Sequence, residues 1–462
     1  GISRSPALAA CYLHEYAGRR LADALVEVGR ARPIADPHPA LLASMREHYG
    51  EADGLAGSPD IELDTATSPA RRIDLSANEN PLGPSPLALA ALSATLPTIH
   101  RYPDRAASAL RHALAQRHGG GAAQIVLGNG SCEVLDLAAR ALLSPGQAAI
   151  IAPPCFPAYR SAVKRAHGRL VEVPLQADEG FAYRLDRIAA AIDHDTRLIV
   201  IGNPNNPTAQ GVAATGFGDW LDSLPPQVTV LLDEAYRDYG ADQEFGDAGP
   251  ANNAEYKAPC PANDDVNQAA RKASDGTGDA AAEAPAALAD GPALVRAGRR
   301  VLVLRSFSKL HGLAGLRVGY AFGPADLIAS LEAQRPTYNT NTPAQVAALA
   351  ALDDHAHQTA TRRLNASGLN QLHKGLAALG LSCPPGHGNF LLVDFGRHGF
   401  DAGRIAAQLA GAGIEVKPGS AFGLPTCLRI SVGLPAENSR LLDELQNLTD
   451  AARHSQPKTT RE

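Results

Sequence analysis

From about residue 71 the chain alternates two kinds of stretch. Short continuous apolar runs are each followed by one with helical spacing: "QIVLGNG" then "CEVLDLAARALL", and "AAIIAPP" then "FPAYRSAVKRAHG". Further apolar runs follow at "RLIVIGNP", "VTVLLDEAY" and "VLVLRSFSK". Runs that are apolar on both faces predict strands buried in a mostly parallel sheet, with amphipathic helices covering both sides. The expected class is therefore α/β, with a large domain over 71–323. Helical spacing resumes from about Pro324 to Asp450, with strands expected at "NFLLVDFG" and "CLRISVG". This predicts a smaller α+β domain over 324–450.

The flanks read differently. Residues 1–50 carry apolar positions at helical spacing, as in "PALAACYLHEYAGRRLADALVEVGRAR" and "PHPALLASMREHYG". Residues 51–70 are polar and punctuated by Gly and Pro, the pattern of a linker, and 451–462 form a polar tail. A stretch over about 243–290 is rich in Ala, Asp, Asn, Gly and Pro and poor in β-branched and aromatic residues. It cannot bury enough surface to offset its ordering entropy, so a disordered surface insertion is expected there. No internal repeat is visible.

Bulk numbers narrow the class of function. The 462 residues are 45% apolar and 19% charged, with a net charge of −6. That is ordinary for a soluble protein of two or three domains and gives no electrostatic case for nucleic acid or an anionic membrane. No apolar run approaches the ~20 residues that cross a bilayer, and no signal-peptide pattern opens the chain. Six cysteines (Cys11, Cys132, Cys155, Cys260, Cys383 and Cys427) are scattered, with no CxxC pair and no His at ligand spacing. Neither a metal site nor disulfides are expected, and a reducing compartment, the cytoplasm, follows. A start at Gly1 rather than Met points to a processed chain or a fragment.

Parallel sheets place ligands at the carboxyl ends of their strands, and four such ends carry unusual polar residues. In "RSFSKLHGLAGLRVGY" a lysine, Lys309, directly follows an apolar run. A buried amine is costly unless paired or consumed covalently. It could form a Schiff base with an aldehyde whose phosphate is held by Ser306, Ser308 and Arg317; a polar loop with one solvated lysine fits as well. In "VLLDEAY", Asp233 ends a strand and is either a helix cap or the carboxylate that a pyridine-ring nitrogen needs, with Tyr236 in reach of a phenolic oxygen. In "GNPNNPT", Asn206 belongs either to a simple turn or to the same phenolic oxygen. In "GNGSCE", amides at Ser131 and Cys132 open a helix and can bind phosphate, although Gly-rich strand-to-helix turns are common.

In this order the four pieces resemble a fold-type I pyridoxal-phosphate aminotransferase of class I/II. The stretches "LSANENPLGPSP", "HRYPD", "GNGSCEVLDLAARALL", "SFSKLHGLAGLRVGY" and "CLRISVG" further resemble the histidinol-phosphate aminotransferases over roughly 73–448, the insertion apart. The resemblance implies that fold, with pyridoxal 5'-phosphate as cofactor. It implies that Lys309 carries the cofactor and shuttles a proton, that Asp233 pairs with the pyridinium, and that Tyr236 and Asn206 hold the phenolic oxygen. Ser306, Ser308, Arg317 and the amides of Ser131 and Cys132 would bind its phosphate, and Phe156 would stack on its ring. Tyr102 would reach the phosphate of a neighbouring subunit, which makes the active unit a homodimer. Arg429 would grip the carboxylate of the amino-acid partner, with Asn78 lining the substrate side. The implied reaction is transamination between histidinol phosphate and 2-oxoglutarate in histidine biosynthesis. A threonine-phosphate decarboxylase, another amino-acid aminotransferase on this fold, and a non-catalytic phosphate-binding module are the alternatives.

Three features depart from that family, besides the insertion after Tyr239. Cys132 stands where an Asp is frequent, and Lys417, in "EVKPG", where an arginine is usual and thought to face the substrate phosphate. No tyrosine lies between Tyr49 and "ANEN". The opening "GISRSP" resembles the end of the phosphate loop of a dual-specificity phosphatase, and the helices after it the last part of that domain. The cysteine nucleophile six residues before Arg4 is absent from the chain, so no phosphatase activity is expected.

Overall fold

The computed structural model describes residues 72–240, 287–381 and 383–455. The helices expected in 1–50, the linker, most of the insertion and the end of the tail lie outside them.

The larger sheet has seven strands in the order β2 (Ile125–Gly128), β8 (Gly319–Phe322), β7 (Val301–Ser306), β6 (Thr229–Asp233), β5 (Thr196–Gly202), β3 (Ala148–Ile151) and β4 (Arg169–Glu172). All pair in parallel except β8, which runs against both of its neighbours. Every residue of β3, β6 and β7 is buried, which is why these strands read as unbroken apolar runs. Only β4 keeps charged ends in solvent, and it is an edge. One face packs Ile150, Ile199, Val230 and Val303 under one helical layer; the other packs Ile151, Val200, Leu231 and Leu302 against Val134, Leu137 and Ala138 of the helix Ser131–Leu142.

Register brings the informative loops to one edge. Gly202 pairs with Asp233, Asp233 with Leu304, and Ser306 with Gly319, which in turn pairs with Gly128. The carboxyl ends of β2, β5, β6 and β7 and the entry to β8 therefore stand side by side.

A second sheet of four strands has the order β1 (Ile73–Leu75), β10 (Ile414–Pro418), β11 (Cys427–Ser431), β9 (Phe390–Asp394). Its core includes Leu75, Leu391, Val393, Ile414 and Ile430, with Leu372 and Leu376 of the helix His355–Ala378. Two boundaries differ from the sequence reading. The first three-residue strand belongs here, not to the large sheet, because it pairs in parallel with β10, Ile73 opposite Ile414. The helices Ala325–Glu332 and Thr342–Asp353 bury their apolar faces against the large sheet's two cores, so the division lies well beyond Pro324.

The last residues assigned to the insertion are also part of the body: Leu288 bridges Ala213, and Asp290 caps the helix Gly291–Arg296 through Ala293 N–H. Caps join the two halves. Asp354 accepts from His357 N–H at the start of His355–Ala378 and from the Ser85 hydroxyl at 2.6 Å, while Ser85 itself caps the helix Pro86–Thr95. Each such cap contributes about 1 kcal/mol. Among the described residues no helix is long and apolar enough to cross a membrane, and no group of side chains could hold a metal ion.

Candidate active site

Lys309 lies three residues beyond the end of β7, half-buried. Its ammonium donates to the Ala77 carbonyl at 3.0 Å and sits 5.5 Å from the centre of the Tyr236 ring. Ser306 ends β7, and its hydroxyl accepts from Ser308 N–H. Arg317 takes a left-handed backbone, φ 56°, just before β8, and so turns its guanidinium back toward Ser308 Oγ at 3.4 Å. The same guanidinium packs on Gly130, where a Cβ would collide with it. Gly130, at φ 81°, is thus favoured by its conformation, and a Cβ there would displace the Arg317 guanidinium. Gly319 leaves room in the same way for the Ser131 amide. The start of the helix Ser131–Leu142 therefore opens beside a cation and two hydroxyls, the composition of an oxyanion cradle. The Cys132 side chain is exposed, within electrostatic reach of Asp233, Arg317 and Lys309.

Asp233, at the end of β6, is 7% exposed. Its carboxylate accepts from the Tyr159 hydroxyl at 2.8 Å and from Ala235 N–H at 3.2 Å. Burial pushes the carboxyl up to about 6, more than these two bonds and the Lys309 charge bring it down. A buried carboxylate in this state is one that a cationic partner would stabilise.

Arg429 lies in the middle of β11, 5% exposed, between the rings of Phe390 and Phe422 at 5.6 and 5.5 Å. It donates to Asn206 Oδ1 at 2.7 Å and to the Ser76 carbonyl, while Nε is buried without a partner. Burial lowers its pKa, and among the described residues no carboxylate forms an ion pair with it. Because Arg429 takes the Asn206 oxygen, the Asn206 amide nitrogen is left to donate elsewhere. Asn78, at φ 53° and fully buried, donates to Tyr236 Oη at 3.1 Å and is fixed by Ser431, whose hydroxyl bonds both its N–H and its Oδ1.

Residues 70–445 match the family described as "Aminotransferase class I and II". The chain belongs to that family. Histidinol-phosphate aminotransferase 1 of Thiobacillus denitrificans is 41% identical over 400 residues, 86% of this chain and 91% of that protein. Histidinol-phosphate aminotransferase 2 of Pseudomonas aeruginosa is 39% identical over 395 residues, 85% of this chain and 93% of that one. The crystal structure of histidinol-phosphate aminotransferase from Sinorhizobium meliloti in complex with pyridoxal-5'-phosphate superposes with a TM-score of 0.66 over 83% of this chain and 92% of that chain, at 24% identity, which shows the shared fold.

For a class I and II aminotransferase the cofactor is pyridoxal 5'-phosphate, and the residues present fit it. The oxyanion cradle, a buried carboxylate in want of a cation and an amine at the sheet edge match its phosphate, ring nitrogen and aldehyde.

Of the residues singled out from sequence, Lys309, Asp233, Tyr236, Asn206, Ser306, Ser308, Arg317, Ser131, Cys132, Asn78 and Arg429 converge on this edge. Phe156 is half-buried in the loop after β3, edge-on to Tyr159 at 5.9 Å. Tyr102 is not among the cluster: it is 82% exposed and stacks on Tyr338 at 4.8 Å.

Sequence reasoning missed three participants. Tyr159 has a signal, three residues after Phe156 at the start of a helix. Glu133 does too, in the first turn after "GNGS". Its carboxylate accepts from Asn129 N–H and Asn339 Nδ2, both at 2.6 Å, and so locks the glycine loop. The third, the buried set Arg305, Glu234 and Asp238 beneath the site, with contacts of 2.6 and 2.5 Å, had no signal beyond two acids near a strand end.

Proposed function

We propose that this chain transfers the amino group of histidinol phosphate to 2-oxoglutarate; its relatives are named histidinol-phosphate aminotransferases. The observation that carries this reading is Arg429, a buried guanidinium with a free Nε, directly across the β10–β11 ladder from Lys417. A guanidinium meets a carboxylate or a phosphate in two parallel hydrogen bonds. One pocket can therefore accept glutamate in one half-reaction and a phosphate ester in the other.

Pyridoxal phosphate, when bound, supplies an electron-accepting ring and an aldehyde. Lys309 holds that aldehyde and, once released, moves the proton at the substrate's amine-bearing carbon. Asp233 balances the ring nitrogen and Tyr159 orients Asp233. Tyr236 and Asn206 donate toward the phenolic oxygen, Phe156 covers the ring, and Ser306, Ser308, Arg317 and the amides of Ser131 and Cys132 hold the phosphate. Asn78 orients Tyr236, and Lys417 adds charge on the substrate side.

The working unit in this reading is a homodimer. The exposed large apolar side chains among the described residues are Leu87, Leu89, Leu96, Ile99, Tyr102 and Tyr338. Four fall within 87–99 and the other two stack on each other. A partner copy would cover them, and Tyr102 would then reach the partner's phosphate site. The cytoplasm is the compartment in which such a reaction would run, with no nucleic acid or membrane as partner. Residues 1–50, outside the described residues, are read as a phosphatase-like piece.

Turnover of histidinol phosphate with 2-oxoglutarate tests the proposal. Glutamate formation at a rate that threonine phosphate or histidine does not match supports it. Carbon dioxide released from threonine phosphate would favour the decarboxylase instead. Sedimentation of the holoenzyme tests the dimer.

A further inference from the structure

We propose that one ordered water occupies a cavity behind the segment Ala77–Pro81 and serves as a positioning ligand for it. The polar lining of this cavity is Tyr239, Thr361, Asn365 and Asn389; its other three walls are apolar, and it has room for about one water.

Three polar atoms on these side chains, Tyr239 Oη, Asn365 Oδ1 and Asn389 Oδ1, are buried without a hydrogen-bond partner. Their residues are 7, 6 and 2% exposed. Buried polar groups left in this state are rare. The two amides cannot be turned around to relieve it. Asn365 Nδ2 donates to the Gly388 carbonyl and Asn389 Nδ2 to the Glu79 carbonyl, both at 3.2 Å, which leaves each oxygen over. Tyr239 keeps its proton, since burial holds the phenol well above its ordinary value. Thr361 Oγ1 accepts from Asn80 Nδ2 at 3.1 Å and has its own proton to give.

The cavity therefore offers two acceptors and two hydroxyl donors, the complement of a single water that donates twice and accepts twice. A monovalent cation would need more oxygens than four, and the hydroxyl protons and apolar walls oppose it.

The elements that meet here give the water its role. Tyr239 ends the 3₁₀ turn Arg237–Tyr239 that follows β6, Thr361 and Asn365 belong to the long helix His355–Ala378, and Asn389 precedes β9. The same side chains hold the segment above them. Asn389 binds Glu79, and Asn80 bridges Thr361 and the Leu310 carbonyl, the latter at 2.8 Å. That segment supplies the Ala77 carbonyl to Lys309 and Asn78 to Tyr236. The water thus completes the seat of a strip that touches two residues of the active site.

Two measurements on the cofactor-loaded enzyme decide it. A crystal structure grown with rubidium as the only monovalent metal ion should show one peak within hydrogen-bond range of Tyr239 Oη, Asn365 Oδ1 and Asn389 Oδ1, without anomalous signal. An empty cavity or an anomalous peak overturns the proposal. Hydrogen exchange on Tyr239→Phe should then show the amides of Asn78 and Leu82 opening about tenfold faster, while those of β3 keep their rates. Unchanged exchange at 77–82, or a uniform rise across the molecule, overturns the positioning role.

Discussion

Lys417 stands directly across from Arg429 in the antiparallel pairing of β10 with β11. Opposed residues of such a ladder share one face, and like charges placed there destabilise the sheet. The arrangement persists in a half-buried setting, with Arg429 neutralised by no carboxylate. We infer from it a pocket whose anion comes from outside. In the proposed reading a substrate that carries a carboxylate or a phosphate would supply that anion.

Arg429→Ala should lower kcat/KM for glutamate by about 10- to 150-fold, since a buried charge-assisted pair contributes roughly 1.5–3 kcal/mol, and its loss strands Asn206 Oδ1 as well. The visible spectrum of the bound cofactor should change little. Steady-state kinetics beside an absorbance titration checks both halves of the expectation.

Lys417→Ala should raise KM for the phosphorylated amine about tenfold, the effect of losing one charge-assisted contact. Lys417→Arg should lower it, because a planar fork replaces a point charge. KM measured for histidinol phosphate and for glutamate in each variant distinguishes a phosphate contact from general damage, which would move both.

Asp233 makes stability depend on pH in a definite direction. Its carboxyl rises from 3.8 to about 6 on folding, chiefly through burial. A raised folded value means stability that is complete below 3.8 and lost as pH climbs through 6. At ~1.36 kcal/mol per unit the loss is about 3 kcal/mol. Cofactor-free protein should therefore lose about this much relative to Asp233→Asn between pH 4 and 7, read from urea midpoints of the pair. The cofactor-loaded protein should not, because the ring nitrogen would pair with the charged form.

Gly130→Ala should weaken cofactor binding at least tenfold while the protein stays folded. The added methyl meets the Arg317 guanidinium, and the backbone at φ 81° costs on the order of 1 kcal/mol for any L side chain. Equilibrium dialysis against pyridoxal phosphate reads the loss, and circular dichroism of the cofactor-free form controls for unfolding.

Much of the site was legible because strand ends collect it. Asp233, Asn206, Ser306 and Lys309 each follow an unbroken apolar run, and parallel pairing brings such ends together without further information. What escaped depends on contacts that no local pattern encodes. The pairing of Ile73 with Ile414 joins residues far apart in sequence, and a three-residue strand has no periodicity of its own. The helix Thr342–Asp353 reads as generic Ala-rich helix; only the burial of Ala344, Ala347, Ala348 and Ala351 assigns it to the large sheet. Lys417 was visible as a departure from a family pattern, but its place opposite Arg429 is a matter of register. Tyr159 lay in plain view beside Phe156, and its bond to Asp233 needed the third dimension.

The most direct test is the visible spectrum of the purified chain with pyridoxal phosphate, recorded before and after histidinol phosphate and again after 2-oxoglutarate. The account predicts a visible band that Lys309→Ala abolishes, that histidinol phosphate bleaches, and that 2-oxoglutarate restores. A chain that forms no such band, or whose band histidinol phosphate leaves untouched, contradicts it.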